Sequence, residues 1–336
     1  ITLPPDFGTD DAYVAAMKGV ILEINPEATI VDISHSIEPQ NISQGAFVFS
    51  TAYSCFPPDT VHLVVVDPEV GGPRRAIILE TSNAIFVAPD NGVLSYVIQA
   101  SVNKRFSKPA LMKLPPELEA FEITNPRFWR HPVSSTFHGR DIFAPVAAHV
   151  SLGKPLNELG LPIASVNVIA LPRPHTDSAS NVVGHILHID HFGNLITDIT
   201  IEYLPSGRYS IEIAGHQIGS LSHSYDQAQE LLALIGSSGR LEIALRGGSA
   251  ARLLRSKLGD ELQITSRRAG TGAAPPRSPR RQADRPRAPS RSRSSRRSAI
   301  SAWSRSARSS PSVALSRRSS ARTRAHSSRT SKGWGR

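Results

Sequence analysis

Two aspartates stand where an α/β protein would place a ligand site. Asp6 follows the strand-like opening ITL, in DFGTDDAYV, and Asp67 follows VHLVVV, residues 61–66. That run is continuously apolar and β-branched, as expected of a strand buried on both faces of a sheet. Ligands in open α/β sheets bind outside the carboxyl ends of the strands, so both carboxylates fall at a favourable place. On placement alone, each is equally a helix cap or a turn residue. DPEVGGPRR, residues 67–75, adds a glycine pair and two arginines to Asp67, and STFHGRDIF adds His138, Arg140 and Asp141. A carboxylate, a guanidinium and an imidazole brought together can orient and polarise a water molecule. The Asp would fix the His tautomer while the Arg stabilises developing negative charge. Spacing does not show that they meet, and a lone loop histidine is more often structural than catalytic. HILHIDH, residues 185–191, offers three histidines and an aspartate for a metal. In a strand, however, His185 and His188 point to opposite faces and are not expected to share an ion, so no metal site is assigned.

The elements that must position these residues alternate between strand and helix, the pattern of α/β layers. Asp11 to Asn25 places Val14, Met17, Ile21 and Ile24 on one helical face, with Asp10 and Asp11 at its positive N-terminal end. ATIVDIS reads as a strand, and Asn41 with Gln44 has the spacing of a capping box before AFVFSTAY. AIILET and IFVAP are further strands, and DIFAPVAAHVSLG is a helix beginning near Asp141 and ending at Gly153. Residues 155–180 are rich in Pro, Asn and Ser and read as a linker or long surface connection. Beyond them GHILHID, LITDIT, YSIEIAG, RLEIAL and ELQIT are short alternating strands. The expected fold is an N-terminal α/β sandwich-like domain with a central, mostly parallel sheet (1–172), followed by a smaller β-barrel-like domain (173–265). Residues 266–336 are expected to be a disordered tail, because Ser, Arg, Ala and Pro cannot bury enough apolar surface to offset ordering entropy.

The net charge of +10 averages two unlike pieces. Residues 266–336 carry 20 basic residues against the single acid Asp284, leaving 18 basic and 27 acidic residues in the remainder. The folded part is therefore acidic, and nucleic acid would be bound only through the tail, where Trp303 and Trp334 alone could stack on bases. No apolar run is long enough to cross a bilayer, and nothing at the start reads as a signal peptide. The sequence opens at Ile1 directly on a strand, so further residues are expected ahead of it. Cys55 is the lone cysteine, which excludes a disulfide framework and fits a cytoplasmic location.

Six blocks in order carry a family resemblance: DFGTDDAYVAAMKGVI, DISHSIEPQNISQGA, TVHLVVVDPEVGGPRR, FVAPDNGVLS, STFHGRDIFAPVAAH and IDHFGNLITDI. Over residues 1 to about 265 the sequence resembles the S-adenosyl-L-methionine (SAM) hydrolases, or hydroxide adenosyltransferases, which are related to the SAM-dependent fluorinases and chlorinases. The resemblance implies hydrolysis of SAM to adenosine and L-methionine by water attack at ribose C5′, without metal or organic cofactor. It makes Asp67, Arg74 and His138 the water-activating triad. In the halogenating relatives, Tyr stands at the place of Asp67 and Tyr-Ser at that of His138-Gly139. Asp6 would hold the ribose hydroxyls, Asp190 the α-ammonium, Phe192 and Asn194 the adenine, and Ser237 and Ser238 the methionine carboxylate. It further implies a homotrimer whose sites form between the first domain of one subunit and the second domain of its neighbour. A halogenase and a catalytically silent SAM-binding module are the alternatives, although the latter would not need Asp67, Arg74 and His138 together. Glu69 stands where the family usually has Gly, in a turn expected to want positive φ, and Pro4-Pro5 replaces a pair of threonines.

Overall fold

The computed structural model describes residues 1–219, 221–225 and 231–266. The expected tail lies outside these, apart from Ser266. Nine strands arise in the first half: β1 (Thr2–Leu3), β2 (Val31–Asp32), β3 (Thr60–Leu63), β4 (Ala76–Glu80), β5 (Ala84–Pro89), β6 (Ala110–Lys113), β7 (Glu119–Ile123), β8 (Gly160–Pro162) and β9 (Ser165–Val168). Seven form one sheet in the order β2-β1-β3-β5-β4-β7-β8, and β6 pairs with β9. The β2-β1-β3-β5 part is parallel, as expected of strands joined through helices, and β4, β7 and β8 extend it antiparallel.

VHLVVV is buried throughout, and its alternation explains why. Val61, Leu63 and Val65 pack with Met17, Ile21 and Ala147 on one side of the sheet, whereas Val64 and Val66 pack with Phe49, Val97 and Ile98 on the other. Those partners come from helices on both faces: α1 (Tyr13–Ile24), α2 (Ile42–Ser50), α3 (Ser95–Val102) and α4 (Ala144–Ser151). In α1, Val14, Met17 and Ile21 are buried as expected, with Val20 in the place expected of Ile24. Asn41 caps α2 by accepting from the Gln44 amide at 2.9 Å. The Gln44 side chain accepts from the Glu38 amide at 2.6 Å, so only half of the capping box forms and the other half ties down the preceding loop. His62, fully buried, shares a 2.7 Å hydrogen bond with Thr2 Oγ1 and stacks on Phe86; burial pushes its pKa down to about 4.

Residues 155–180 are not an unstructured linker. Their Pro and Gly punctuate a short helix α5 (Leu156–Leu159), β8 at the edge of the first sheet and β9 against β6. From β10 (His175–Thr176) onward the chain is almost all antiparallel strand: β11 (Val182–Ile189), β12 (Leu195–Thr200), β13 (Tyr209–Ile213), β14 (His216–Ile218), β15 (Leu231–Ile235), β16 (Arg240–Leu245) and β17 (Glu261–Ser266), with α6 (Ala250–Leu254) between the last two. The order β14-β13-β17-β11-β12-β16-β15 brings its two ends together into a nearly closed barrel around Leu195, Ile199, Leu241 and Ile243. Ser266, expected to begin the tail, instead ends β17 opposite Tyr209. Among the described residues no helix is long and apolar enough to cross a membrane.

Candidate active site

Strand order reverses at β1, which lies between β2 and β3, and such a switch point opens a crevice at the carboxyl ends of the strands. Asp6 follows β1 into this crevice. Past β3 the chain stays extended and buried through Val66, held by Val64 N donating to Val87 O at 2.9 Å and Asn91 Nδ2 donating to Val66 O at 2.8 Å. Asp67 emerges there. Arg74 Nε donates to both Asp67 oxygens at 3.0 Å, and Arg74 Nη2 donates to Asp67 Oδ2 at 2.5 Å and to His138 Nδ1 at 2.9 Å. The guanidinium lies over the Phe143 ring, and the side chains of Asp67 and Arg74 are each only 5% exposed. These are charge-assisted, forked hydrogen bonds, the strongest kind available to side chains.

The three sequence-predicted residues therefore meet, but with one difference in roles. A guanidinium only donates, so His138 Nδ1 must accept and the proton of the neutral ring sits on Nε2. Arg74, not Asp67, fixes the tautomer. Burial, and next the Arg74 charge, push the His138 pKa below its ordinary value.

The other two residues of the His138 motif support it instead. Asp141 is fully buried and accepts from Arg140 Nε at 2.6 Å, Arg140 Nη2 at 2.9 Å and Ser134 N at 2.9 Å. Burial would raise its pKa, but these hydrogen bonds outweigh burial and hold it low. A π-helical turn, Gly139–Phe143, then leads from His138 into α4, which thus starts later than Asp141. Glu69 is exposed and keeps negative φ, so the strain expected there is absent. Gly71 is the residue with positive φ, +78°, and it presses on the backbone of Ser135. Asp6 Oδ2 accepts from Gln40 N at 2.6 Å, and burial raises the pKa of Asp6. Pro4 and Pro5 cost the sheet no donor, since β1 ends at Leu3, whose carbonyl accepts from Ile33 N at 3.0 Å.

The remaining candidates gather on the barrel. Asp190 Oδ1 accepts from the amides of Phe192 and Asn194 at 2.9 Å, and Asn194 Nδ2 donates to Asp190 Oδ2 at 2.9 Å. With Ser237, Tyr225 and Glu242 these residues line an open cavity of about 730 Å³ that includes none of Asp6, Asp67, Arg74 or His138. Ser238 lines an adjoining cavity of about 670 Å³, shared with Ser237, and its buried Oγ has no hydrogen-bond partner. Phe192 is 74% exposed, an unusual state for a large apolar side chain held at a cavity wall.

The sequence pattern of the SAM hydroxide adenosyltransferase N-terminal domain matches residues 1–160, and that of the C-terminal domain matches residues 184–263. The chain belongs to the SAM hydroxide adenosyltransferase family. Among similar members, the (R)-S-adenosyl-L-methionine hydrolase of Salinispora arenicola is 35% identical over 79% of this chain and 97% of its own length. A fluorinase of Nocardia brasiliensis is less similar, at 28% identity over 79% of this chain and 96% of its own. The crystal structure of an uncharacterized conserved protein from Thermotoga maritima superposes with a TM-score of 0.70 at 35% identity, covering 79% of this chain and 99% of that one.

In this family member, HILHIDH does not gather its side chains around one point. His185 Nδ1 pairs with Asp198 at 3.0 Å, whereas His188 packs on Phe47 across the groove to α2. Among the described residues no group of three or more His, Cys, Asp and Glu side chains is placed to hold a metal ion. Sequence reasoning missed Tyr225 and Glu242. Glu242 sits inside the alternating strand RLEIAL, where period-two reading turns it to solvent, yet it is only 5% exposed.

Proposed function

We propose that this chain cleaves SAM with water at ribose C5′, releasing adenosine and L-methionine. The observation that carries this reading is the hydrogen-bonded Asp67–Arg74–His138 network, in a family whose similar members are named (R)-S-adenosyl-L-methionine hydrolases. The Asp67 carboxylate presents free lone pairs to a water proton, and the His138 Nε2–H holds the water oxygen. A halide would be repelled by the carboxylate, which favours water over the chemistry of the fluorinase relatives. Asp6 takes the ribose hydroxyls, Asp190 the α-ammonium, Phe192 and Asn194 the adenine, and Ser237 and Ser238 the methionine carboxylate. The departing thioether is neutral, so no general acid is required, and positioning with exclusion of bulk water supplies the acceleration. Neither a metal nor an organic cofactor is needed for that step.

The test is incubation with each sulfonium epimer of SAM, with and without excess chloride, followed by product identification. Adenosine with methionine supports hydrolysis. 5′-Chloroadenosine would replace it with halogenation, and recovery of intact SAM would leave a binding module. The pH profile gives a second check. Neutral His138 is the form that accepts from Arg74, and its pKa is lowered by burial and by Arg74. The acid limb of kcat/KM assigned to His138 is expected below pH 6.5, and a limb at or above that value would remove the tautomer argument.

We further infer that residues 1–172 and 173–265 act as separate domains that meet across the subunits of a homotrimer. The cavity of Asp190 lacks the triad, and the exposed Phe192 gives a neighbouring subunit something to cover. Mixing D67A and D190A chains, each inactive alone, is expected to restore part of the activity through sites that carry neither change. No recovery after subunit exchange would assign each site to one chain. The exposed, unpaired Cys55 is compatible with the reducing cytoplasm in which we place the enzyme.

A further inference from the structure

The wall of the barrel cavity contains a carboxylate that the proposed mechanism does not use. Glu242 lies at the centre of β16 between Leu241 and Ile243, both fully buried, and is itself only 5% exposed. A carboxylate in such a place is costly unless something compensates it. Its compensation within the chain is slight. Tyr225 Oη donates to Glu242 Oε2 at 3.0 Å, and no basic side chain among the described residues forms an ion pair with it. Burial, and to a lesser extent the charge of Asp190, raise its pKa, with the Tyr225 hydrogen bond opposing them. Space has nevertheless been cleared for it. A Cβ on Gly236 would lie 1.7 Å from Glu242 Oε1, so any other residue at 236 would drive the carboxylate from its position.

The surroundings have the character of a ligand site, with apolar and aromatic walls and a few placed polar groups. Phe192 and Tyr225 are partly exposed rings on the cavity of about 730 Å³, and Asp190, Ser237 and Glu242 share its lining. Asp190 spends its oxygens on the amides of its own turn and on Asn194. It thus offers a cation less than a full carboxylate, whereas Glu242 Oε1 accepts no hydrogen bond from the described residues. Burial, then the hydrogen bond to Glu242 and the charges of Glu242 and Asp190, push the Tyr225 hydroxyl up to a pKa of about 12. Two carboxylates, one of them buried, are thereby arranged around a space that suits a primary ammonium.

We propose that Glu242, held by Tyr225 and Gly236, is a substrate-binding and specificity residue: it pairs with the α-ammonium of the amino-acid end of the substrate together with Asp190. The inference rests on the SAM reading above and deepens it. Ser237 lines the same cavity and is left for the α-carboxylate, and a substrate carboxylate turned onto Glu242 itself would be repelled. Adenosine, which lacks the ammonium, gains nothing from Glu242.

That difference supplies the test. Glu242→Gln keeps the size of the side chain and an acceptor for Tyr225 but removes the charge. The variant is expected to raise KM for SAM about tenfold while kcat changes by less than about twofold, the pattern of lost uniform binding. L-Methionine as a product inhibitor should weaken by about the same factor, with inhibition by adenosine unchanged. Equal weakening of methionine and adenosine would show a merely structural role, and unchanged methionine inhibition would remove Glu242 from the site. Either result overturns the proposal and leaves the hydrolase reading standing. A wild-type chain that turns over no SAM and binds no methionine by calorimetry would overturn both.

Discussion

Replacing Asp67 by Ala is expected to lower kcat for SAM hydrolysis by about 10²-fold or more, the usual scale for losing a positioned proton acceptor. Asp67 is the triad member with lone pairs left for water, because His138 Nδ1 is taken up by Arg74 and its other nitrogen carries the proton. The substitution has a second effect that must be separated from the first. The Arg74 side chain is 5% exposed, and without Asp67 it keeps, among the described residues, only His138 as a hydrogen-bond partner beside its contact with the Phe143 ring. Breaking a buried pair by removing one member costs about 3–5 kcal/mol, so the Ala variant should also unfold at lower temperature. Asp67→Asn leaves an amide oxygen for Arg74 while weakening the acceptor presented to water. It should recover much of the thermal stability and little of the turnover. Single-turnover rates measured at saturating SAM, on samples checked by thermal unfolding, separate the two effects. Wild-type turnover in a folded Asn variant would take Asp67 out of the chemistry.

Much of this site was legible because strand ends and motif residues coincide. VHLVVV reads as a doubly buried strand, and a doubly buried strand fixes where Asp67 emerges. The match of Val14, Met17 and Ile21 to the buried face of α1 has the same origin, a helical period with few interruptions. What could not be read is long-range. Nothing in the spacing of Asp67, Arg74 and His138 says that the guanidinium stands between the other two, so the roles of carboxylate and arginine toward the imidazole were exchanged. LLALI, residues 231–235, was overlooked as a strand because a run without alternation is ambiguous in period, although it becomes β15 at the end of the barrel sheet. Residues 155–180 misled for the opposite reason. Pro and Gly mark turns, but β8 sits at a sheet edge, where a proline residue costs little, and β9 pairs with β6 in a two-stranded sheet. Glu242 was hidden by a rule that is right on average: alternation fails where both faces of a strand are covered.

The same contrast between local rule and tertiary contact makes Gly71, not Glu69, the vulnerable position of the Asp67 loop. Gly71 has φ +78°, and a Cβ there would lie 2.3 Å from the Ser135 carbonyl oxygen, three residues ahead of His138. Gly71→Ala therefore combines left-handed strain, roughly 1–2 kcal/mol, with a clash against backbone that cannot rotate away. The loop carrying Asp67 and the turn carrying His138 would have to separate by the better part of an ångström. Misplacement of about 1 Å can cost about 10²-fold in rate, so the variant should lose turnover on that scale while remaining folded at reduced stability. Glu69→Gly is the matched control. Since Glu69 already has negative φ and its side chain is exposed, the change should leave turnover within about twofold and cost only the backbone entropy of an added glycine, about 0.5–1 kcal/mol. Circular dichroism melts and SAM turnover on the two variants decide the matter. Gly71→Ala with near-normal turnover would mean that the two loops move independently, and Arg74 would then have to hold Asp67 and His138 together alone.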